Sequence, residues 1–174
     1  MISPEYDRKL LGGSLPRYTF GGSFNIDWHN LDFGVTFNGI GKHKVSKMVI
    51  SKPLKDQFLD IPEFIMGKYW SVLNSEGQNL KAKYPRLSQT SDANNYIMSD
   101  YWLFNGAYFR IKNVSLGYTI PKQLSQKLKM QSLRFYINIS DPLCINKFPK
   151  GYDPESIGHY WVLTSYLFGV SITF

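Results

Sequence analysis

The chain has 174 residues, enough for one domain of ordinary size, with 16% aromatic residues and a formal net charge of +7. Its mean hydropathy of −0.26 and the lack of any run of about 20 apolar residues exclude helical membrane spans. The basic residues are scattered, which argues against nucleic-acid binding, and the single cysteine, Cys144, excludes an internal disulfide.

The first predicted elements are two strands, near residues 17–26 and 31–40, in which apolar and polar residues alternate with the period of a β-strand. Their apolar faces carry, in order, Tyr18, Phe20, Phe24 and Ile26, then Leu31, Phe33, Val35 and Phe37. A four-residue turn over 27–30 joins the two strands, which predicts a hairpin.

Three further strands are predicted near residues 108–120, 132–140 and 164–174, each with one apolar face and one face of small polar residues. The apolar faces carry Val114, Leu116, Tyr118 and Ile120, then Leu133, Phe135, Ile137 and Ile139, then Tyr166, Phe168, Val170, Ile172 and Phe174. Each strand has about the nine to eleven residues that a tilted strand needs to cross a bilayer. Aromatic residues near the strand ends are typical of the interfacial girdle of outer-membrane barrels.

The connections between these strands alternate in length. Two are short, 27–30 and 121–131, and two are long, 41–107 and 142–163. Short periplasmic turns and long extracellular loops are typical of outer-membrane β-barrels. The competing interpretation is a soluble antiparallel sandwich, whose strands also alternate.

The third strand contains a change of phase, because Phe109 and Ile111 are apolar on one parity and Val114 on the other. Without a bulge, Arg110 and Lys112 share the outward face, and we expect both at the level of the lipid headgroups, where a cation can meet phosphates. The alternative is a β-bulge that turns both side chains inward.

Five motifs follow one another in order: PRYTFGG (16–22), KYPRL (83–87), YFRIKNVSLGYTIP (108–121), GYDPE (151–155) and FGVSITF (168–174). Together they resemble the C-terminal portion of the SusC/RagA family of TonB-dependent outer-membrane transporters. The long motif over 108–121 is the most specific of the five, and the resemblance covers nearly the whole chain.

The resemblance implies that residues 1–174 are the last five or so strands of a 22-stranded antiparallel barrel in the outer membrane of a Gram-negative bacterium. It implies a SusD-like lipoprotein partner, energy supplied through TonB, contact with outer-membrane lipid and lipopolysaccharide, and import of oligosaccharides or peptides. It also places the loops 41–107 and 142–163 outside the cell. The plug domain and a signal peptide are absent from this sequence, so we expect the barrel to be completed by an N-terminal part of the same protein. The aromatic terminal residue, Phe174, resembles the signal that the barrel-assembly machinery reads.

No constellation of residues predicts catalysis, a cofactor or a metal site. His29, His43 and His159 lie in separate connections without metal-ligand spacing, and Asp153 with Glu155 is better explained as part of a turn. We therefore expect no enzyme. The candidate contacts to substrate or partner are aromatic residues of the two long connections, which suit sugar rings, peptides and protein interfaces alike; they are Tyr69, Trp70, Tyr96, Tyr101, Trp102, Tyr152 and Trp161.

Active import is thus the leading functional hypothesis. A passive porin-type channel is the second, and an upstream plug with a TonB-contacting segment would decide between them. The third is a soluble or surface-attached β-sandwich that binds glycans, which would dissolve without detergent.

Overall fold

The computed structural model describes residues 6, 8–13, 15–46, 61, 63–87, 99–156 and 162–174. In chain order the elements are β1 (Tyr18–Trp28), β2 (Leu31–Gly41), β3 (Lys44–Ser46), α1 (Glu76–Leu80), β4 (Leu103–Asn105), β5 (Tyr108–Thr119), α2 (Lys122–Lys127), β6 (Ser132–Asn146) and β7 (Ser165–Thr173). Neither helix of the described ranges has the length and apolarity that a membrane crossing requires.

The chain divides into two compact units. The sheet unit comprises 17–41, 107–147 and 160–174, and the connection unit comprises 1–16, 42–106 and 148–159. The sheet unit is one antiparallel sheet with the strand order β1-β2-β5-β6-β7. Its five strands lie over the five stretches in which the sequence alternates with a period of two.

The register aligns apolar residues of all five strands on one face of the sheet. One such row crosses the sheet through Phe24, Val35, Val114, Ile139 and Tyr166. This face is open, since Phe24 is 56% and Phe168 70% exposed. A sandwich would bury it against a second sheet. The exposed aromatic face therefore speaks against the sandwich and suits a sheet that meets lipid.

The opposite face is polar and carries an ion pair between strands that are not neighbours. Arg134 on β6 donates to Asp32 on β2 through Nη2, 2.6 Å from Oδ2, and through Nε, 3.2 Å from Oδ1. Gly117 of β5 lies between them, and a Cβ there would come within 2.6 Å of Arg134 Nη2. The absent side chain is what lets the two charges meet across β5.

The hairpin turn between β1 and β2 is tighter than predicted. Trp28 pairs directly with Leu31, so only His29 and Asn30 form the turn instead of the four residues 27–30. His29 takes a left-handed backbone conformation with φ of 56°. Asp27 and Trp28 extend β1 because their alternation continues that of the strand, and two-residue turns match the twist of paired strands.

The phase change in β5 is a β-bulge, and the expected headgroup position of Arg110 is wrong. The ladder with β2 shifts between Asn113 and Ile111, which leaves Lys112 as the extra residue. Past the bulge, Phe109 and Ile111 return to the apolar face, and Arg110 pairs with Asn38 on the polar face. Arg110 is only 2% exposed. The extra residue thus keeps Phe109 and Ile111 on the apolar face and the guanidinium of Arg110 on the polar face.

Strand β6 also runs further than predicted, to Asn146 instead of residue 140. Opposite Lys112, the pairing skips Asp141 and Pro142 and resumes with Leu143 against Ile111. Asp141 has a φ of 50°, and proline lacks an N–H for the ladder. Because two residues are skipped, the alternation of β6 is unchanged, and the ladder continues through four more residues after Pro142.

The connection unit is organised around two small apolar clusters. β3 and β4 form a two-stranded antiparallel sheet in which Val45 pairs with Phe104, and both pack with Phe148. The second cluster consists of Ile65, Tyr84 and Trp102. Phe64 packs against both clusters, which links them within this unit.

Candidate functional site

The predicted contact residues with described positions all lie in the connection unit, and the structure divides them into two groups. Trp70, Tyr101 and Tyr152 are 39%, 52% and 38% exposed. Tyr69 is partly buried against the second cluster, and Trp102, 1% exposed, lies in its core. Trp102 is therefore a packing residue rather than a surface contact. Tyr96 and Trp161 lie outside the described residues.

Trp70 is held at the surface by backbone hydrogen bonds between two segments. Its N–H donates to the Tyr84 carbonyl at 3.0 Å, and the Lys68 carbonyl accepts from the N–H groups of Lys83 and Tyr84. Asn74 Nδ2 donates to the Tyr69 carbonyl at 2.9 Å. These bonds fix the backbone on both sides of the indole, so its exposure belongs to an ordered segment.

Helix α1 supplies the support beneath this segment. Ser75 caps the helix, since its Oγ accepts from the Gln78 N–H while the Gln78 side chain accepts from the Ser75 N–H. Asn79 of α1 donates through Nδ2 to the Ser71 carbonyl at 2.9 Å, and its Oδ1 accepts from the Ser71 N–H at 3.1 Å. A single side chain thereby satisfies both backbone groups of Ser71.

A 3₁₀ turn over Asp100–Trp102 places two consecutive aromatic rings in different surroundings. Trp102 stacks on Tyr84 with ring centroids 5.7 Å apart, while Tyr101 is exposed. Burial raises the pKa of the Tyr84 phenol, because a phenolate would lose hydration there. Because of this turn, Trp102 packs in the core while its neighbour Tyr101 stays at the surface, where it can contact a ligand.

Tyr152 is held by the turn that the sequence predicted over 151–155. Gly151 has a φ of 87°, and Asp153 Oδ1 accepts from the Glu155 N–H at 2.8 Å. The ring of Tyr152 meets Phe64 edge to face with centroids 5.9 Å apart, and burial raises its pKa as well. The ring of Tyr152 is thus partly packed and partly accessible.

Sequence reasoning missed Phe64, Phe104 and Phe148, which form the aromatic core that supports these residues. They are separated in sequence by 40 and 44 positions and show no shared periodicity, so no local signal identifies them as partners. It also missed Asp141, whose Oδ1 lies 3.5 Å from Arg110 Nη1 and 3.3 Å from Lys112 Nζ on the sheet unit.

Within the described residues, no group of three or more His, Cys, Asp or Glu side chains is placed to hold a metal ion. The chemistry this unit offers is contact through aromatic faces. Exposed indole and phenol rings on an ordered backbone stack on sugar rings, pack on peptide side chains, or anchor a protein partner.

Two curated proteins are similar to this chain in sequence. The TonB-dependent receptor P3 of Formosa agariphila is 23% identical over 150 residues, which cover 86% of this chain and 14% of the receptor. The TonB-dependent receptor SusC of Bacteroides thetaiotaomicron is 32% identical over 83 residues, which cover 44% of this chain and 8% of SusC. No protein-family model matches the chain.

Solved structures of the RagAB peptide importer share this fold. Its closed-closed state aligns with the whole chain at a TM-score of 0.73 and 20% identity, over 19% of the importer chain. Its open-open state aligns at a TM-score of 0.68 and 19% identity. The chain therefore spans a small part of the length of each of these proteins.

These comparisons confirm the resemblance to SusC/RagA-family TonB-dependent transporters that the motifs indicated. They also confirm the fold class, an antiparallel portion of an outer-membrane β-barrel, and with it a location in the outer membrane of a Gram-negative bacterium.

Proposed function

We propose that this chain is part of an outer-membrane active transporter that imports oligosaccharides or peptides, is energised through TonB, and is gated by a SusD-like lipoprotein. The observation that carries the proposal is the sequence similarity to a TonB-dependent receptor over 86% of the chain. The RagAB structures, titled as a peptide importer, add the same fold over the whole chain.

In this proposal the sheet unit is a segment of the barrel wall, and the connections over 41–107 and 142–163 face the cell exterior. The lipid-facing side is the exposed apolar face, and the polar face with its Asp32–Arg134 pair lines the lumen. The chain has no catalytic role. Substrate or lipoprotein contacts come from Trp70, Tyr101 and Tyr152, the three predicted aromatic residues whose described side chains are exposed.

An uptake assay in the bacterium that encodes the chain tests this function. Cells are given labelled oligosaccharide and peptide pools, and uptake is compared between the parent strain, a deletion of the gene and a disruption of TonB. We expect the gene deletion and the TonB disruption to abolish uptake of the same labelled oligosaccharides or peptides. Uptake that survives the loss of TonB would support the passive channel instead.

A double variant assigns the contact residues. Trp70→Ala with Tyr101→Ala removes two exposed rings, and we expect uptake at limiting substrate to fall by about thirtyfold, since each aromatic contact contributes on the order of 1 kcal/mol and about 1.4 kcal/mol corresponds to a factor of ten. Leu80→Ala with Leu73→Ala is the matched control, because both leucines are exposed in the same unit but offer no aromatic face. Unchanged uptake in the aromatic double variant would remove these residues from the site.

A further inference from the structure

The connection between β5 and β6 combines exposed leucines with lysines in and directly after a single short helix. Leu124 lies in α2 and Leu128 caps its C-terminus; they are 53% and 57% exposed and lie four residues apart. Lys122, Lys127 and Lys129 are exposed around them. The sequence has no aspartate or glutamate from 101 to 140, so no acidic residue of that stretch balances these lysines.

The exposure of these leucines belongs to an ordered turn. The Ile120 N–H donates to the Leu133 carbonyl at 2.8 Å, so the connection starts directly from the ladder. The buried Ser125 donates from Oγ to the Lys122 carbonyl, and its own carbonyl accepts from the Met130 N–H at 3.0 Å. The helix is therefore held in place by its own backbone.

This connection leaves the sheet at an end rich in exposed aromatic residues. Leu31, next to the β1–β2 turn, pairs with Tyr118, and Tyr118 pairs with Phe135. Trp28, Tyr118 and Phe135 are all exposed on the apolar face at this end. Such a row is typical of the girdle at the boundary between hydrocarbon and headgroups, so the connection that contains α2 starts from the end of the sheet where headgroups are expected.

The burial of Leu133 indicates on which side of the sheet the connection lies. Leu133 shares the apolar face with Phe135, yet it is 8% exposed while Phe135 is 45% exposed. Helix α2 contacts β6. We infer that the connection covers the apolar face at Leu133, which puts α2 on the lipid side of the wall.

We propose that α2 with Lys129 is an interfacial anchor that binds anionic phospholipid headgroups of the periplasmic leaflet. Leu124 and Leu128 enter the boundary with the acyl chains, and Lys122, Lys127 and Lys129 meet the phosphates. Apolar residues flanked by lysines bind membranes in this way, with each lysine near an anionic surface contributing a factor of about five. The choice of leaflet rests on the proposed topology, in which the short connections face the periplasm.

Spin-label accessibility in the complete, reconstituted protein tests the anchor. On a background in which Cys144 and every cysteine outside these 174 residues are replaced by serine, single cysteines replace Gln123, Leu124, Gln126 and Leu128 and carry a nitroxide, in vesicles of phosphatidylcholine with phosphatidylglycerol. We expect labels at 124 and 128 to be accessible to oxygen, which concentrates in the bilayer, and labels at 123 and 126 to a water-soluble nickel complex. This readout requires no cargo and no TonB, so it is independent of whether transport is confirmed.

Charge reversal tests the role of the lysines. Lys122→Glu with Lys127→Glu and Lys129→Glu should lower the oxygen-to-nickel accessibility ratio at position 124 by about fivefold or more, the factor expected for one lysine at an anionic surface. Lys147→Glu with Lys150→Glu, at the opposite end of β6, is the control and should leave the ratio unchanged.

Four results would overturn the proposal. Labels at 124 and 128 that contact water as freely as those at 123 and 126 exclude insertion, and labels shielded from both reagents indicate a protein partner instead of lipid. A ratio that is unaffected by charge reversal, or by omitting phosphatidylglycerol, excludes the anionic headgroup as the ligand. Reaction of Gln126→Cys with an impermeant thiol reagent added outside intact cells would exclude the periplasmic leaflet.

Discussion

Arg110 is a charged residue that the fold buries almost completely. A guanidinium that is 2% exposed has lost most of its hydration, which is costly unless charge and hydrogen-bond partners replace the water. Asp141 supplies the charge, and the ring of Tyr108 lies 5.8 Å from the guanidinium carbon. Lys112 approaches the same carboxylate oxygen. Asp141 therefore faces two cations, and it has the left-handed backbone conformation that aspartate adopts more readily than most residues.

The buried phenol of Tyr84 should make the stability of the connection unit depend on pH. Burial raises the pKa of its phenol above the ordinary value of 10.0. The folded state holds the proton more tightly than the unfolded state, so this contribution to stability is complete below pH 10.0 and is lost as pH rises through the raised pKa. We expect Tyr84→Phe to resist alkaline unfolding of the connection unit better than the parent, as followed by the fluorescence of Trp102 in a protein whose other tryptophans are replaced by phenylalanine.

Tyr101→Phe is the control for this experiment, since it removes a phenol that is exposed in the same turn. Tyr152 retains its own raised pKa in the Tyr84→Phe protein, so part of the alkaline sensitivity should remain. An alkaline midpoint that is identical in the parent and in Tyr84→Phe would contradict the assignment.

In strand β5, the bulge at Lys112 decides which side chains share a face. The extra residue Lys112 keeps Phe109 and Ile111 on the same face as Val114 despite the odd spacing between them. Without a bulge, the period of two would carry Arg110 to the lipid side. Sequence parity alone could not decide between the two outcomes, because a bulge depends on how the neighbouring strands β2 and β6 pair.

Deletion of Lys112 should remove the bulge and leave the faces of β5 unchanged. Without the extra residue, Asn113 and Ile111 become neighbours, as their partners Thr36 and Phe37 are on β2, so strict alternation keeps Ile111 on the apolar face and Arg110 on the polar face. We expect a yield of heat-modifiable protein in the outer membrane close to that of the parent, with Lys112→Ala, which keeps the bulge but loses the contact with Asp141, as the control. A clear loss of yield in the deletion alone would mean that the bulge itself is required, and not only the alternation that it preserves.

At the scale of the whole molecule, the five-stranded sheet has two edges, β1 and β7, each with unpaired backbone groups. Such groups cost several kcal/mol each in hydrocarbon, so a bilayer-spanning sheet must close on further strands. β7 ends at Thr173, and the terminal Phe174 is 88% exposed. The closing partner of β7 is therefore a strand outside the described sheet.

Deletion of Phe174 from the complete protein should reduce membrane assembly more than substrate affinity. The residue is exposed and contributes little to packing, so its loss should act through recognition by the assembly machinery. We expect a reduced amount of folded barrel in the outer membrane, while the molecules that do assemble bind substrate as the parent does. Phe168→Leu, an exposed position on the same strand, is the control. Normal yield after deletion of Phe174 would show that another feature directs assembly.

The five strands of the large sheet, their apolar faces and the family resemblance can be read from the sequence, because a period of two is a local property that each strand carries along its own length. The small sheet of β3 and β4, the face of Arg110, the extension of β6 to Asn146 and the burial of Trp102 beside the exposed Tyr101 are known only from the tertiary structure. Each of these depends on a partner distant in sequence: Asp141 for Arg110, Ile111 for the end of β6, and Tyr84 for Trp102. Pairings of that kind follow from register and packing, which no local pattern contains.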